Sequence, residues 1–300
     1  MDFRPILAGF ILVFISTPFI SRYLLEKGIY GIDLHKKTKD KVPELAGITV
    51  FASVLLILFG YYISGIDLLF YPLIAVFLTG VLGIIDGFKP LSALQKIFSL
   101  YLIGVVVAWG LGFNDIVVAL VIGFLFMSGV NFTNMLAGFN GLEIGTGAIA
   151  SIGLAIVSHL TGALESFIIS SVMAGALLGF LYYNRFPAKA FPGDVGTLII
   201  GTALVSSILI GRLYIPGVII FIPYVIDAGL KFVSVGVMTR ESQKPTELKD
   251  GKLYVPEGSN LSLPRIFLRK QPMGERGVVH RVWMLEGVFS LLAVLSVVLL

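Results

Sequence analysis

The 300-residue sequence contains no cysteine, and only 13% of its residues are charged. Without cysteine, the chain has no disulfide framework, no thiolate metal site and no thiol nucleophile. Soluble domains carry roughly 25% charged and 45–50% apolar residues. This chain is 57% hydrophobic, with a mean hydropathy of +0.96. The shortage of charge argues against a soluble protein and predicts one that resides in a membrane.

The sequence also lacks the patterns of a histidine metal site and of a membrane β-barrel. The three histidines, at positions 35, 159 and 280, have no metal-ligand spacing. A membrane β-barrel requires strands that alternate apolar and polar residues, and runs such as residues 50–58 do not alternate. The net charge of +4 is small and by itself says little about partners, and we expect no nucleic acid among them.

Apolar stretches bounded by charged residues, proline or glycine are long enough to cross a bilayer as helices. Ten such stretches cover residues 5–25, 44–64, 68–86, 94–112, 115–130, 143–160, 163–183, 195–211, 215–236 and 282–300. The predicted fold class is therefore all-α, a polytopic membrane protein with about ten transmembrane helices. We expect residues 1–300 to form one integral-membrane domain with a long cytoplasmic loop at residues 237–281.

The basic residues are distributed unevenly among the predicted loops. Of the 22 lysines and arginines, all except Arg4 and Arg212 fall on the same side of the membrane. By the positive-inside rule, this side is cytoplasmic. Ten spans then place both termini outside, and we expect the chain in the cell membrane.

The unusual polar combinations all lie on the basic side. They are residues 33–47, the segment from Asp86 to Lys96, residues 131–141 and residues 191–194. We expect them to converge in one cleft, because aspartate and asparagine oxygens, cations and glycine-rich turns suit a Mg²⁺-assisted reaction on a phosphate compound.

Each cluster taken alone also has a structural interpretation. Asp86 and Asp194 are ordinary at a membrane interface, and Asn131 and Asn134 are typical of hydrogen bonds between membrane helices. Their placement on one face favours a shared site.

Asp227 is a separate case, because it lies within the ninth predicted helix. An ionisable residue at that depth is a candidate for function. Lys231, four residues later, is a candidate ion-pair partner on the same helix face. A structural pair and a role in the site both remain open.

The motifs resemble those of UDP-N-acetylglucosamine:dolichyl-phosphate N-acetylglucosamine-1-phosphate transferases. Residues 131–143, Asn-Phe-Thr-Asn-Met-Leu-Ala-Gly-Phe-Asn-Gly-Leu-Glu, are similar to that family's asparagine-rich signature. Phe-Pro-Gly-Asp at 191–194, the spacing of Asp86, Leu91 and Lys96, and residues 31–36 followed by Pro-Glu at 43–44 are similar to its other motifs. Bacterial members of the superfamily typically carry Asp-Gly-Leu-Asp-Gly-Leu at positions 137–142, so the chain is more similar to the eukaryotic and archaeal branch.

The resemblance implies transfer of an N-acetylhexosamine-1-phosphate from a UDP-sugar to a polyprenyl or dolichyl phosphate, the first step of lipid-linked glycan synthesis. It also implies Mg²⁺, with Mn²⁺ as the alternative, and leaves a homodimer open. The implied residues are Asp86, Lys96, Glu44 and Arg240 for catalysis, Leu34, Gly138, Asn140 and Phe191 for UDP-sugar binding, and Asn134 and Asp194 for the metal.

Two departures from the family pattern stand out. The paired aspartates that end its third helix are Asp86-Gly87 here, so one carboxylate is missing. The Arg-His-Arg element of the last cytoplasmic loop is reduced to Arg240, followed by Glu241 and Ser242. The element that the family uses on the sugar side is therefore incomplete in this chain.

Two other functions fit the same membrane architecture. A transporter or flippase for lipid-linked or nucleotide sugars also needs many spans and a polar cleft. A catalytically inactive homologue that assembles with glycosylation enzymes is the third hypothesis. The predicted outer loops carry almost no polar chemistry, which disfavours a path through the bilayer.

Overall fold

The computed structural model describes residues 2–33, 40–236 and 244–299, where the chain is mostly helical. The helices in chain order are α1 (Arg4–Glu26), α2 (Ile48–Ile63), α3 (Phe70–Phe88), α4 (Ala93–Gly110), α5 (Ile116–Met135), α6 (Leu142–Thr161), α7 (Leu164–Asn184), α8 (Gly193–Gly211), α9 (Tyr214–Val235), α10 (Leu263–Lys270) and α11 (Glu275–Val298). A 3₁₀ turn, Asp67–Leu69, precedes α3.

The helices confirm the predicted polytopic membrane protein. Within the described ranges, nine are long and apolar enough to cross a membrane, and α2 is an apolar helix of 16 residues. The ten predicted spans correspond to α1–α9 and α11. Helix α10 corresponds to no predicted span; it has eight residues and ends in Arg269 and Lys270. It is too short and too charged to have been found as a span.

Two small antiparallel hairpins accompany the helices. Strand β1 (Tyr30–Ile32) pairs with β2 (Lys41–Pro43), and β3 (Glu247–Lys249) pairs with β4 (Lys252–Tyr254). Each strand has only three residues, which is too short for a recognisable sequence pattern. The hairpin β1–β2 links α1 to α2.

Helices α6, α7 and α8 form the centre of the bundle, and most of their residues are buried. Helix α1 packs tightly against α7 through glycine. A Cβ atom on Gly175 would lie 2.0 Å from the Ile6 carbonyl oxygen, and one on Gly9 would lie 2.5 Å from that of Val172. Small residues commonly allow such close approach between membrane helices.

Several predicted helix ends are wrong by one or two turns. Helix α5 continues to Met135, although a loop was expected from Asn131. Asn131 donates from Nδ2 to the Met127 carbonyl oxygen at 2.9 Å, so its polar side chain is accommodated within the helix. Helix α11 begins at Glu275 rather than at position 282, because its first two turns are polar and extend beyond the apolar stretch.

The ends of the antiparallel helices divide the bundle into two faces. The C-terminal ends of α3, α5 and α7 and the N-terminal ends of α4, α6 and α8 lie at one end, which we call the site end. The opposite end carries Arg4, which pairs with Asp2 at 2.8 Å, and Arg212. The site end therefore corresponds to the side that the sequence predicts to be cytoplasmic.

Candidate active site

Asp86 lies buried in the last turn of α3 and organises the connection to α4. Its Oδ1 accepts a hydrogen bond from the Leu91 backbone N–H at 2.7 Å, and its Oδ2 lies 2.8 Å from Lys96 Nζ. Helix α4 begins with a capping box between Ser92 and Gln95, which fixes the turn before Lys96.

Lys96 joins this turn to α8. Its Nζ also lies 2.9 Å from Oδ2 of Asp194, in the first turn of α8. The three side chains differ in exposure: Asp86 is fully buried, while Lys96 and Asp194 are 17% and 26% exposed. One ammonium between two carboxylates leaves one negative charge, and the open side of the cluster is at Lys96 and Asp194.

Asn134 approaches the same turn of α8 from the last turn of α5. Its Oδ1 accepts a hydrogen bond from the Thr197 hydroxyl at 2.6 Å. That hydroxyl also lies 3.2 Å from the Asp194 carbonyl oxygen. Asn134 and Asp194 are therefore neighbours across the α5–α8 interface.

These side chains form a sparse oxygen donor set. No group of three or more histidine, aspartate or glutamate side chains suited to a metal lies within the described ranges. Mg²⁺ commonly takes one or two protein carboxylates and completes its shell with water and substrate phosphates. The carboxylate of Asp194 and the amide oxygen of Asn134 fit that mode of binding.

A glycine-rich turn, residues 138–141, connects α5 to α6 beside this cluster. Gly138 has φ +139° with open space where a Cβ would stand, and Gly141 has φ +83°. Asn140, between them, is buried and held on two sides: its N–H donates to Glu275 Oε1 at 2.6 Å, and its Nδ2 donates to Asp33 Oδ2 at 2.8 Å. The turn is thus fixed by Asp33, in the N-terminal part of the chain, and by Glu275, in its C-terminal part.

The loop before α8 is anchored to the segment before α2. The Phe191 N–H donates to the Pro43 carbonyl at 2.9 Å, and the Ala46 N–H donates to the Phe191 carbonyl at 3.0 Å. The Phe191 ring lies against Gly31, where its Cδ2 is 3.2 Å from the position of a Cβ. Glu44 Oε2 lies 3.4 Å from that same position, so Glu44 and Phe191 flank Gly31.

Leu45 fills the space where the family's second aspartate would stand. It has φ +64°, is almost fully buried, and contacts both Gly87 and Gly193. A Cβ on Gly87 would lie 2.3 Å from Leu45 Cδ2. Leu45 therefore occupies the space that an aspartate side chain at position 87 would need.

Asp227 takes part in a buried ion pair. Its Oδ2 lies 2.8 Å from Lys231 Nζ, and its Oδ1 accepts from the Leu263 N–H at 2.8 Å. Lys231 also donates to the Met135 carbonyl. The expected pairing of Asp227 with Lys231 is confirmed, and it connects α9 to α10 and to the end of α5.

The structure brings most of the sequence-predicted site residues to the site end. Asp86, Lys96, Asp194 and Asn134 form one cluster. Phe191, three residues before Asp194, lies against Gly31, and Asn140 of the glycine-rich turn bonds to Asp33, two residues after Gly31. Leu34 and Arg240 lie outside the described residues. Lys244, the cation nearest to Arg240 in the sequence, donates to the Glu257 carbonyl at 3.2 Å.

Sequence reasoning missed three residues that position this site. Asp33 lies in a motif that assigns it no role, Glu275 lies in the predicted cytoplasmic loop, and Thr197 lies in a predicted apolar helix. Each acts through a contact with a residue more than 60 positions away. Their polarity was the signal available, and nothing in the sequence identified their partners.

Comparisons with known proteins show a family match and several relatives. Residues 69–212 match the model of glycosyl transferase family 4. A putative glycosyltransferase of Methanocaldococcus jannaschii is 41% identical over 95% of this chain and 94% of its own length.

Two further relatives carry more specific names. A putative UDP-N-acetylglucosamine–dolichyl-phosphate N-acetylglucosaminephosphotransferase of Sulfolobus acidocaldarius is 30% identical, over 96% of this chain and 94% of its own length. A phospho-N-acetylmuramoyl-pentapeptide-transferase of Halalkalibacterium halodurans is also 30% identical, over 75% of this chain and 80% of its own. The archaeal relatives thus match over more of the chain than the bacterial one, as the motifs at 137–142 predict. On these matches, the chain belongs to glycosyl transferase family 4.

Proposed function

We propose that this protein transfers N-acetylglucosamine-1-phosphate, or a related N-acetylhexosamine-1-phosphate, from a UDP-sugar to a polyprenyl or dolichyl phosphate. The observation that carries the proposal is the cluster of Asp86, Lys96 and Asp194 beside Asn134, at one end of a membrane bundle. The names of the archaeal and bacterial relatives support it, since each describes a transferase.

The reaction requires two anions to meet. An oxygen of the lipid phosphate attacks the β-phosphorus of the UDP-sugar, and the bond from that phosphorus to the bridging oxygen breaks. UMP leaves with the bridging oxygen, and the lipid retains a diphospho-sugar. A phosphomonoester has a second pKa of about 6, so the attacking phosphate is already mostly ionised at neutral pH. Catalysis then depends on positioning and charge neutralisation rather than on a strong base.

Lys96 is suited to the neutralising role. Its side chain is only 17% exposed and its ammonium is held by two carboxylates, so its position is fixed before substrate binds. A fixed cation in a partly water-excluded cleft stabilises developing negative charge without reorganisation. Asp86 holds Lys96 and the turn at Leu91, and in our proposal it orients the lysine and the incoming phosphate.

Asp194 and Asn134 are the residues that we expect to hold Mg²⁺ or Mn²⁺. Bound there, the cation would neutralise the diphosphate and the charge that develops on UMP. The all-oxygen chemistry of the two side chains supports Mg²⁺ over softer metals.

The nucleotide is expected on the glycine-rich side of the cleft. Gly138 leaves open space and Asn140 offers a fixed amide, while the half-buried Phe191 ring is available for stacking on a base. The contributions of Leu34 and Arg240 remain predictions from the family motifs, with Glu44 near the diphosphate.

We assign the site end to the cytoplasm and the bundle to the cell membrane. The distribution of lysine and arginine supports this orientation, since Arg4 and Arg212 are the only such residues that the described part of the chain places at the other end. UDP-sugar and lipid phosphate would then meet at the cytoplasmic surface.

The transporter alternative receives no support from the comparisons. The packing at the far end of the bundle also disfavours it. Ser158, Ser166 and Ser207 are fully buried there and hydrogen-bond to one another, with both Oγ–Oγ distances 2.7 Å. These serines tie α6, α7 and α8 together where an alternating-access path would need to open.

The proposal is tested with the purified full-length protein in detergent. UDP-N-acetylglucosamine radiolabelled in the sugar is supplied with dolichyl phosphate and Mg²⁺, and organic-soluble label is measured. We expect lipid-linked label that depends on both the lipid and the cation. Absence of such label with dolichyl and with shorter polyprenyl phosphates would contradict the proposed activity and favour an inactive homologue.

A further inference from the structure

The segment around β1 places an aromatic ring and an amide on one face. Gly31 and Asp33 are two residues apart, and the Asp33 N–H continues the ladder to the Asp40 carbonyl at 3.5 Å. Alternate residues of a strand share a face, at a spacing of about 6.6 Å. The Phe191 ring contacts Gly31, and Asn140 bonds to Asp33. The Phe191 ring and the Asn140 amide therefore lie against two neighbouring positions on the same face of this segment.

The Asp33 carboxylate determines which way the Asn140 amide points. A carboxylate only accepts hydrogen bonds, so Asn140 must present its NH₂ group to Asp33, as observed at 2.8 Å. The amide is planar, and its Oδ1 then points away from Asp33. Glu275 holds the backbone N–H of Asn140 at 2.6 Å, which prevents the turn from rotating as a whole.

We propose that Asp33 is a positioning residue that sets the base specificity of the nucleotide site. It holds Asn140 with its amide oxygen, a hydrogen-bond acceptor, toward the base. That acceptor selects a pyrimidine that carries an N3–H, as uracil does, over one with a bare N3, as cytosine has. The inference rests on the proposed function, because it takes Asn140 to contact the base.

The selection follows from hydrogen-bond complementarity. Uracil N3–H donates to the Asn140 oxygen, whereas cytosine N3 directs a lone pair at the same oxygen and leaves both acceptors unpaired. Sites built to bond a donor reject analogues that lack it, because their buried polar groups then have no partner. Without the Asp33 carboxylate, the amide is free to turn by half a rotation and present its NH₂ group to cytosine.

The test compares the affinities of UDP and CDP by titration calorimetry in detergent with Mg²⁺. Asp33→Asn permits either amide orientation, and we expect it to lower the UDP preference by roughly tenfold, the effect of one hydrogen bond. The exchange Asp33→Asn/Asn140→Asp again leaves an acceptor facing the base, and we expect it to regain the preference. The matched control, Asp40→Asn, makes the same chemical change at an exposed position of the same hairpin.

A purely structural role for Asp33 makes a different prediction. In that case Asp33→Asn would lower the affinities for UDP and CDP equally, and this result would overturn the inference. A wild-type protein that binds UDP and CDP with equal affinity would also overturn it. Asp33→Ser, which also removes the carboxylate, repeats the comparison if Asp33→Asn is not folded in a thermal-unfolding scan. A wild-type protein that prefers UDP through Asp33 but forms no lipid-linked sugar would contradict the proposed reaction while supporting this inference.

Discussion

The Lys96 Nζ atom in α4 lies 2.9 Å from Oδ2 of Asp194 in α8, although the two residues are 98 positions apart. The same Nζ lies 2.8 Å from Asp86 in α3. One ammonium therefore fixes the relative positions of three helix ends. Because both acceptors are anionic, removing that charge changes the electrostatics of the cleft more than its packing.

Replacement of Lys96 by methionine is expected to reduce transfer by at least about 100-fold, the order of loss for a preorganised charge-stabilising group. The side chain keeps much of its length, but Asp86 and Asp194 then face each other without a cation between them. Transfer is measured as lipid-linked label per enzyme, and folding as thermal unfolding in detergent. Lys89→Met is the matched control on the same connection, where Lys89 is exposed. Activity of Lys96→Met equal to that control would remove Lys96 from the mechanism.

Asp194→Asn tests the proposed metal site. The substitution conserves shape but removes the charge, so we expect product formation to be lost at Mg²⁺ concentrations that saturate the wild type. A partial return at higher Mg²⁺ is consistent with a weakened site. Asp67→Asn, at the opposite end of α3, is the control and is expected to leave the Mg²⁺ dependence unchanged. An unaltered Mg²⁺ dependence in Asp194→Asn would exclude Asp194 as a ligand.

The Gly87 position tests the steric explanation for the missing aspartate. On family resemblance alone, Gly87→Asp would be neutral or beneficial. The contact with Leu45 predicts instead a loss of stability of about 1–3 kcal/mol, as for other overpacked sites. Leu45→Ala in the same chain makes room and is expected to recover part of that loss. Thermal unfolding is measured for the wild type, both single variants and the double variant. If the two changes in stability simply add in the double variant, the contact between Leu45 and position 87 is contradicted.

The buried pair of Asp227 and Lys231 is expected to matter for stability. Asp227→Asn preserves an acceptor for the Leu263 N–H but leaves Lys231 without its counter-charge, which typically costs about 3–5 kcal/mol. Removing both charges in Asp227→Asn/Lys231→Met is expected to cost less than the single change. Thermal unfolding measures both variants. A double variant less stable than Asp227→Asn would show that Lys231 contributes chiefly through its bond to the Met135 carbonyl.

The helical architecture was predictable because each membrane-spanning helix must be apolar over most of its length. Helix ends were less predictable. Leu45 breaks the expected start of α2 with a left-handed backbone conformation that no local pattern of an ordinary leucine indicates. The polar start of α11 at Glu275 and the eight residues of α10 also lack the apolar signal on which span prediction depends.

The sequence predicted which residues belong to the candidate site, but not which of them contact one another. Asp86, Lys96 and Asp194 were predicted to lie together because each falls at the end of a predicted helix on the same side of the membrane. The bond between Asp33 and Asn140 joins segments 107 positions apart, and no periodicity encodes such a contact. Similarly, the contact between Leu45 and Gly87 is visible only once three segments are packed.

The most direct test of the central claim is to identify which bond of the UDP-sugar breaks. The purified protein is given UDP-N-acetylglucosamine radiolabelled in the β-phosphate, with dolichyl phosphate and Mg²⁺, and both products are separated. Our account predicts that the label enters the lipid fraction and that unlabelled UMP is released in equal amount. Release of labelled UDP with an unlabelled lipid-linked sugar, or no cleavage at all, would contradict it.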